Sequence, residues 1–138
     1  MTDLGTRVSP IAPDCGTGGR KIRVLLADDH ALVRQGLSVL LSGTGDLEVA
    51  GEASNGREAV DRARELVPDV ILMDFSMPEM DGLEATKLIH SSQPGIRIVG
   101  LSMYDAGDRA AAMLEAGASE YVPKSGGTDL LLAAIRRH

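Results

Sequence analysis

Short, nearly continuous apolar runs alternate with segments of helical periodicity from Lys21 onward. The runs predict strands at residues 22–27, 47–53, 70–73, 96–101 and 120–122. Apolar residues recurring every three or four positions predict a helix after each strand. The series that starts at Ala59 and Ala63 is a clear example of this spacing.

Two polar pairs predict where helices begin. Asn55 precedes Glu58 by three residues, and Asp81 precedes Glu84 by the same spacing. A short polar residue followed three positions later by Glu is typical of a helix N-terminus. The helix that Asp81 opens is expected to bury Leu88 among its apolar residues.

The alternation of five strands with five helices predicts an α/β fold. Parallel strands need long crossovers, which are usually helices, so the sheet is expected to be parallel with helices on both faces. The crossovers should be right-handed. In open sheets of this kind, ligands bind beyond the carboxyl ends of the strands.

Five residues with reactive or charged side chains end or follow these strands: Asp28, Asp29, Asp74, Ser102 and Lys124. Taken singly, each has a plainer interpretation as a turn, cap or surface residue. Together they would put three carboxylates, a hydroxyl and an ammonium at one sheet edge. Carboxylates about 4 Å apart repel by roughly 4 kcal/mol per pair at an effective dielectric of about 20. Proton uptake, a neighbouring cation or a bound metal must therefore relieve the repulsion. Oxygen ligands favour Mg²⁺, with Mn²⁺ as an alternative, beside a phosphoryl group.

Length and composition narrow the class of protein. The chain has 138 residues, enough for one domain, and its net charge of −6 disfavours direct DNA binding. A single cysteine, Cys15, excludes an internal disulfide, and no apolar run is long enough to cross a bilayer. We therefore expect a cytoplasmic protein that does not bind membranes. Residues 1–20 are rich in small and polar residues and are expected to form a flexible extension.

The motifs at residues 24–30 (VLLADDH) and 74–82 (DFSMPEMDG), with Ser102 and Lys124, resemble a bacterial response-regulator receiver domain. Residues 28–37 (DDHALVRQGL) are most similar to the NarL/FixJ, or LuxR-type, subfamily. The resemblance covers almost everything from residue 21 onward. It implies a flavodoxin-like (βα)5 fold, a doubly wound parallel sheet of five strands in the order 2-1-3-4-5.

The resemblance also implies roles for the residues at the site. Asp74 matches the acceptor that takes a phosphoryl group from a histidine kinase, which makes such a kinase the expected partner. Asp29 matches the direct metal ligand, and Asp28 completes the acidic pocket. Ser76 matches the residue whose backbone carbonyl binds the metal. Lys124 matches the lysine that pairs with the phosphoryl group.

Other residues match positions that, in this family, control the conformational switch and the lifetime of the phosphorylated state. Ser102 matches the switch hydroxyl and Tyr121 the switch aromatic. Ser76 and Tyr104 match the positions that flank attacking water and set the hydrolysis rate. Many receivers have proline after the matching lysine, with a cis bond between the two. Ser125 stands there in this chain, which puts a cis bond at Lys124–Ser125 in doubt.

The expected organisation is an extension at 1–20 and a receiver domain at 21–138. A C-terminal helix-turn-helix output domain, expected outside this sequence, would carry any DNA binding and the control of transcription. Homodimer formation on phosphorylation is compatible with the resemblance. The chain is not expected to be an enzyme beyond its own phosphorylation and dephosphorylation.

Two alternatives stay open. One is a phosphorylation-independent interaction module, although no acceptor or acidic-pocket residue is lost. The other is a phosphohydrolase that forms an aspartyl-phosphate, as haloacid-dehalogenase-like enzymes do. Those enzymes place a second Asp two residues after the nucleophile, where this chain has Ser76.

Overall fold

The computed structural model describes residues 21–75, 77–102, 107–123 and 128–137, and at Ser102, Gly107 and Asp108 the backbone alone. The strands β1 to β5 are Ile22–Ala27, Leu47–Ala53, Val70–Asp74, Arg97–Ser102 and Glu120–Pro123. The helices α1 to α5 are Ala31–Ser42, Gly56–Leu66, Gly82–Ser92, Gly107–Ala116 and Thr128–Arg136. Each predicted strand is therefore present, with bounds that differ by one residue at most.

All four strand pairings are parallel, and the sheet order is β2-β1-β3-β4-β5. The predicted doubly wound fold and its strand order are confirmed. The register aligns Ala27 with Met73 and Asp74 with Leu101. Strands β1, β3 and β4 therefore reach the same edge of the sheet together. We call it the carboxyl edge.

Helices cover both faces of the sheet, which explains why the strands are continuously apolar. In β3, Ile71 and Met73 belong to one buried cluster and Val70 and Leu72 to the other. All four are at most 1% exposed. Asp74, the last residue of β3, thus ends a strand whose other side chains are fully buried.

Both predicted capping pairs are present. The side chain of Asn55 accepts a hydrogen bond from the Glu58 amide at 2.7 Å, and that of Asp81 accepts one from the Glu84 amide at 2.9 Å. The prediction for Leu88 was wrong, because this residue is 42% exposed. Its neighbour Ile89 is the fully buried residue of that turn, so Leu88 lies at the margin of the apolar face.

Two arginines at the opposite, amino edge of the sheet close the ends of helices. Arg23 donates to the carbonyls of Leu66 and Val67 at 2.7 and 3.0 Å, where α2 ends. Arg97 donates to the carbonyls of Ala134 and Ile135 in the last turn of α5. Helix C-termini leave carbonyls without partners within the helix, so these guanidinium groups satisfy them and fix both helices to the sheet.

The end of α5 is also held by an ion pair. Arg136 donates two hydrogen bonds to the Asp46 carboxylate, at 2.8 and 2.9 Å. The hydrogen bond from Arg136 lowers the pKa of Asp46 below its usual value, and raises that of Arg136. This pair joins α5 to the segment that leads into β2.

Two glycines allow close packing of loops at the carboxyl edge. A Cβ on Gly82 would lie 2.0 Å from the carbonyl oxygen of Asp74, and a Cβ on Gly56 would lie 2.1 Å from that of Met80. The Gly56 amide donates to this same Met80 oxygen at 2.9 Å. The start of α3 is therefore packed directly on the backbone of Asp74, where no side chain fits.

Among the helices that the structure describes, none is long and apolar enough to cross a membrane.

Replacing Gly82 by Ala should destabilise the protein. The added methyl group would clash with the Asp74 backbone, which cannot move aside as a flexible side chain can. We expect urea denaturation to show a loss of about 1–3 kcal/mol in unfolding free energy. Gly36→Ala is the matched control, because a Cβ there meets nothing within 4 Å on an exposed part of α1. That control should gain up to about 1 kcal/mol, and equal effects for both variants would contradict the packing argument.

The Asp46→Asn variant should lose a small, pH-dependent amount of stability. The pKa of Asp46 is lower in the folded than in the unfolded state, where it is 3.8. The carboxylate therefore stabilises the fold fully at a pH above 3.8, and this stabilisation is lost as the pH falls through the lower pKa of the folded state. The pair is half exposed, so we expect less than about 1 kcal/mol at pH 7. Denaturation curves between pH 7 and pH 3 would measure a wild-type advantage that disappears in acid. The same substitution in an Arg136→Gln background should have a clearly smaller effect, because only the hydrogen bonds of Asp46 to Thr44 and to its own backbone then remain. An undiminished effect there would assign the loss to something other than the pair with Arg136.

Candidate functional site

Four residues form a cluster at the carboxyl edge: Asp28, Asp29, His30 and Asp74. One potential ligand atom from each lies within 4.8 Å of all the others. The first three follow the end of β1, and Asp74 is the last residue of β3. Since β1 and β3 pair directly, the sheet itself brings the two acidic segments together. The predicted meeting of three carboxylates is therefore observed.

The carboxylates differ in how far the protein encloses them. Asp28 and Asp74 are 1% and 4% exposed, whereas the side chain of Asp29 is 32% exposed. Buried like charges at this spacing repel strongly, so a cation is favoured among them. Asp29 lies on the open side of the cluster, where an ion or a phosphoryl donor can enter.

His30 was not assigned a role from the sequence. Its Nδ1 atom lies 3.1 Å from Oδ1 of Asp28 and 3.1 Å from Oδ1 of Asp29. Its backbone amide also donates to Oδ1 of Asp28 at 2.8 Å. An ionised carboxylate only accepts hydrogen bonds, so Nδ1 carries the hydrogen in this arrangement. The adjacent position in the VLLADDH motif was the one available signal, and it does not reveal where an imidazole points.

The donor set of the cluster fits a hard divalent cation. Three carboxylates from two adjacent strands can each supply an oxygen, and Mg²⁺ is commonly bound by one or two carboxylates together with water and phosphate oxygens. The imidazole of His30 is a softer donor that Mg²⁺ seldom uses. The carboxylates of Asp28, Asp29 and Asp74 are thus the residues that could hold the ion.

The other predicted site residues are described only in part. Ser102 is the last residue of β4 and pairs with Pro123, the last residue of β5. Lys124 follows Pro123 directly, but Lys124, Ser76 and Tyr104 lie outside the described residues, as do the Lys124–Ser125 bond and the proposed extension at 1–20. The roles of these residues stay predictions.

Tyr121 packs inward on the side of the sheet that α4 covers. A Cβ on its neighbour Gly100 would lie 2.4 Å from Cδ1 of the ring and 3.0 Å from Cε of Met113. Its hydroxyl is buried and has no hydrogen-bond partner in the described part of the chain. The ring therefore occupies space that exists because residue 100 has no side chain.

The first turn of α4 also contacts the segment after Asp74. The guanidinium carbon of Arg109 lies 4.9 Å from the centre of the Phe75 ring, which is the geometry of a cation–π interaction. Phe75 is half-buried against the core on the same face. A residue adjacent to Asp74 and a helix that follows it along the chain only after α3 and β4 are thus in direct contact.

Comparisons with known proteins agree with this geometry. The family model for the response regulator receiver domain matches residues 24–136. The transcriptional regulatory protein LiaR of Bacillus subtilis is 47% identical over 115 residues, which are 83% of this chain and 54% of LiaR. Response regulator GacA of Pseudomonas viridiflava is 43% identical over 115 residues, again 83% of this chain and 54% of the relative. The chain thus spans about half the length of these curated relatives.

A solved structure supports the same assignment. The crystal structure of a LuxR-family two-component response regulator from Aurantimonas sp. SI85-9A1 matches with a TM-score of 0.80 and 36% sequence identity. The match covers 83% of this chain and 82% of that chain. With a family match over most of its length and a cluster of acidic residues at the carboxyl edge, this chain belongs to the response regulator receiver domains, in the NarL/FixJ (LuxR-type) group.

Proposed function

We propose that this domain accepts a phosphoryl group on Asp74 from a histidine kinase, in a reaction that depends on Mg²⁺. The observation that carries the proposal is the placement of Asp74. It ends a fully buried strand, is itself 4% exposed, and lies with Asp28 and Asp29 inside one cluster. A nucleophile needs a rigid support and an open approach, and β3 with the half-open side at Asp29 supplies both.

The chemistry at Asp74 would be a simple phosphoryl transfer. One carboxylate oxygen forms a bond to phosphorus while the bond from phosphorus to the kinase histidine breaks, and the leaving imidazole regains a proton. When bound, Mg²⁺ supplies positive charge against the phosphoryl oxygens. Asp28, Asp29 and the backbone carbonyl of Ser76 would hold the ion beside the acceptor.

Two residues from the neighbouring strands would complete the site. Lys124 is proposed to pair with a phosphoryl oxygen, and Ser102 to donate a hydrogen bond to another. The pairing of Ser102 with Pro123 supports this, because Lys124 directly follows Pro123 in the sequence. The ammonium group of Lys124 and the hydroxyl of Ser102 would stabilise the negative charge that the phosphoryl group brings to Asp74.

Phosphorylation would control the domain through the face formed by α4 and β5. The proposed movement of Ser102 toward the phosphoryl group favours the inward orientation of Tyr121, whose hydroxyl is already buried in the structure. The role of phosphorylation is then to stabilise this orientation relative to an outward one. Moving such an equilibrium from 1:99 to 99:1 requires about 5.5 kcal/mol of differential stabilisation.

The readout of this switch is proposed to lie in an output domain beyond the present sequence. LiaR is named a transcriptional regulatory protein, and the chain matches only 54% of it. We propose that this domain likewise controls transcription in the cytoplasm through a DNA-binding partner domain, and acts as a regulator rather than as a metabolic enzyme. Its own net charge of −6 does not favour contact with DNA phosphates.

Intact-mass spectrometry after incubation with acetyl phosphate would test the proposal. Wild type with Mg²⁺ should gain one phosphoryl group, and the Asp74→Asn variant or removal of Mg²⁺ with a chelator should abolish the adduct. Asp61→Asn is the matched control, because Asp61 is exposed on α2 and does not belong to the acidic cluster. It should be labelled like wild type.

Other outcomes would separate the alternatives. A folded wild type that binds Mg²⁺ but forms no adduct with acetyl phosphate or with a panel of phosphorylated kinases would favour a phosphorylation-independent interaction module. An adduct that survives in Asp74→Asn would refute Asp74 as the acceptor. Rapid turnover of small phosphate esters would indicate a phosphohydrolase.

The lifetime of the phosphorylated state should depend on Tyr104. A bulky side chain two residues beyond Ser102 would obstruct the water that attacks the aspartyl-phosphate. We expect Tyr104→Ala to lose its phosphoryl group several-fold faster than wild type, as measured by mass spectrometry after removal of the phosphodonor. Leu130→Ala, a comparable truncation of a half-exposed residue on α5, should decay at the wild-type rate. Equal decay of wild type and Tyr104→Ala would contradict this role.

A further inference from the structure

Arg34, in the first turn of α1, contacts the backbone of the acidic cluster rather than its side chains. Its Nη1 atom donates to the carbonyl oxygen of Asp28 at 2.5 Å. This carbonyl belongs to the peptide unit that joins Asp28 to Asp29. At the other side of the residue, the amide of Asp28 donates to the carbonyl of Ala53 at 3.0 Å. The backbone of Asp28 is therefore held from both sides.

The two aspartates depend on this contact to different degrees. Asp28 is 1% exposed, and its carboxylate accepts the amide of His30, so packing and hydrogen bonding both restrain it. The side chain of Asp29 is 32% exposed, so packing restrains it much less. Because a peptide unit is planar, fixing the Asp28 carbonyl also fixes the positions of the Asp29 amide and Cα, from which the Asp29 side chain extends.

A second contact holds Arg34 itself in place. Its Nε atom donates to Oε1 of Glu52 at 3.0 Å, and the Arg34 side chain is only 18% exposed. Glu52 is in β2 and pairs with Leu26 in β1, so its backbone is part of the sheet. The planar guanidinium thus connects the edge strand β2 to the junction between β1 and α1. A lysine could reach one of these acceptors but could not donate to both in a fixed geometry.

We propose that Arg34 is a positioning residue for metal binding: it orients the Asp28–Asp29 peptide so that the Asp29 carboxylate faces Asp74. The proposal rests on the proposed function for the identity of the ion. The described hydrogen bonds of Arg34 go to the Asp28 carbonyl and to Glu52, not to a carboxylate of the acidic cluster. Loss of Arg34 should therefore weaken Mg²⁺ binding while leaving the phosphorylation rate at saturating Mg²⁺ nearly unchanged.

The test compares Arg34→Met, Arg34→Lys and the control Arg62→Met in the full chain. Methionine keeps much of the aliphatic stem and removes every donor. Arg62 is half exposed on α2 and pairs with Glu65 on the same helix, so its replacement removes an ion pair that does not touch the site. Isothermal titration calorimetry with MgCl₂ gives the affinity, and labelling by acetyl phosphate over a range of Mg²⁺ concentrations separates half-saturation from the maximal rate.

We expect Arg34→Met to bind Mg²⁺ about 10–100-fold more weakly, which is the usual effect of removing a group that orients a metal ligand. The Mg²⁺ affinity of Arg34→Lys should lie between those of Arg34→Met and wild type, and Arg62→Met should bind Mg²⁺ as wild type does. A folded Arg34→Met variant with unchanged Mg²⁺ affinity would overturn the proposal. So would a variant with normal half-saturation and a reduced maximal rate, because that result would place Arg34 in the transfer step.

A readout without metal keeps this proposal separate from the proposed function. In the metal-free protein, the amide of His30 donates to Oδ1 of Asp28 across the peptide unit that Arg34 holds, so its hydrogen exchange, measured by NMR, reports on the orientation of that unit. Exchange there should accelerate at least tenfold in Arg34→Met and stay unchanged in Arg62→Met. If wild type accepts no phosphoryl group, the proposed function fails, and exchange at the His30 amide still decides whether Arg34 orients the peptide.

Should Arg34→Met fail to fold, Glu52→Gln provides the same test in a milder form. This change weakens the contact that holds Arg34 while leaving its hydrogen bond to the Asp28 carbonyl available. It should raise the Mg²⁺ dissociation constant by a smaller factor than Arg34→Lys does. A Glu52→Gln variant with wild-type Mg²⁺ affinity and wild-type exchange at the His30 amide would refute the idea that β2 supports the site through Arg34.

Discussion

The parallel pairing of β1 with β3 is the constraint on which the site depends. It aligns Ala27 with Met73, and the residues that follow on each strand are Asp28 and Asp74. Two carboxylates that are 1% and 4% exposed would repel each other out of place in a loosely packed loop. They stay together because each continues a strand whose side chains are enclosed by helices on both faces. The free energy gained by burying the apolar side chains of β1 and β3 thus offsets the repulsion between the carboxylates of Asp28 and Asp74.

Local signals in the sequence predicted much of this fold. The apolar runs gave the strands, and the polar residues Asn55 and Asp81 gave the starts of α2 and α3, because these features act within a few residues of one another. The error at Leu88 has the same origin. Helical periodicity identifies the buried face of a helix but does not say how far a neighbouring helix extends over its margin.

Contacts between distant segments could not be predicted in this way. The closing of helix ends by Arg23 and Arg97 joins residues about 40 positions apart, and neither arginine differs in the sequence from a surface residue. The close approach of Gly82 to Asp74 depends on the angle at which α3 meets the sheet. His30 and Arg34 stand next to recognisable acidic residues, yet their contacts follow from side-chain directions that only the packed structure determines.

The contacts of Arg23 and Arg97 hold the ends of α2 and α5 at the amino edge of the sheet, opposite the acidic cluster. A guanidinium group stays protonated at any physiological pH, and its acceptors at the ends of α2 and α5 are main-chain carbonyls, so these anchors do not respond to the charge state of the opposite edge. These contacts therefore fix one end of α2 and one end of α5, whereas the acidic cluster lies at the opposite edge of the sheet. Displacements that arise near Asp74 should tilt the outer helices about their anchored ends instead of translating them. Such a tilt would move the starts of these helices, at the carboxyl edge, most and their anchored ends least.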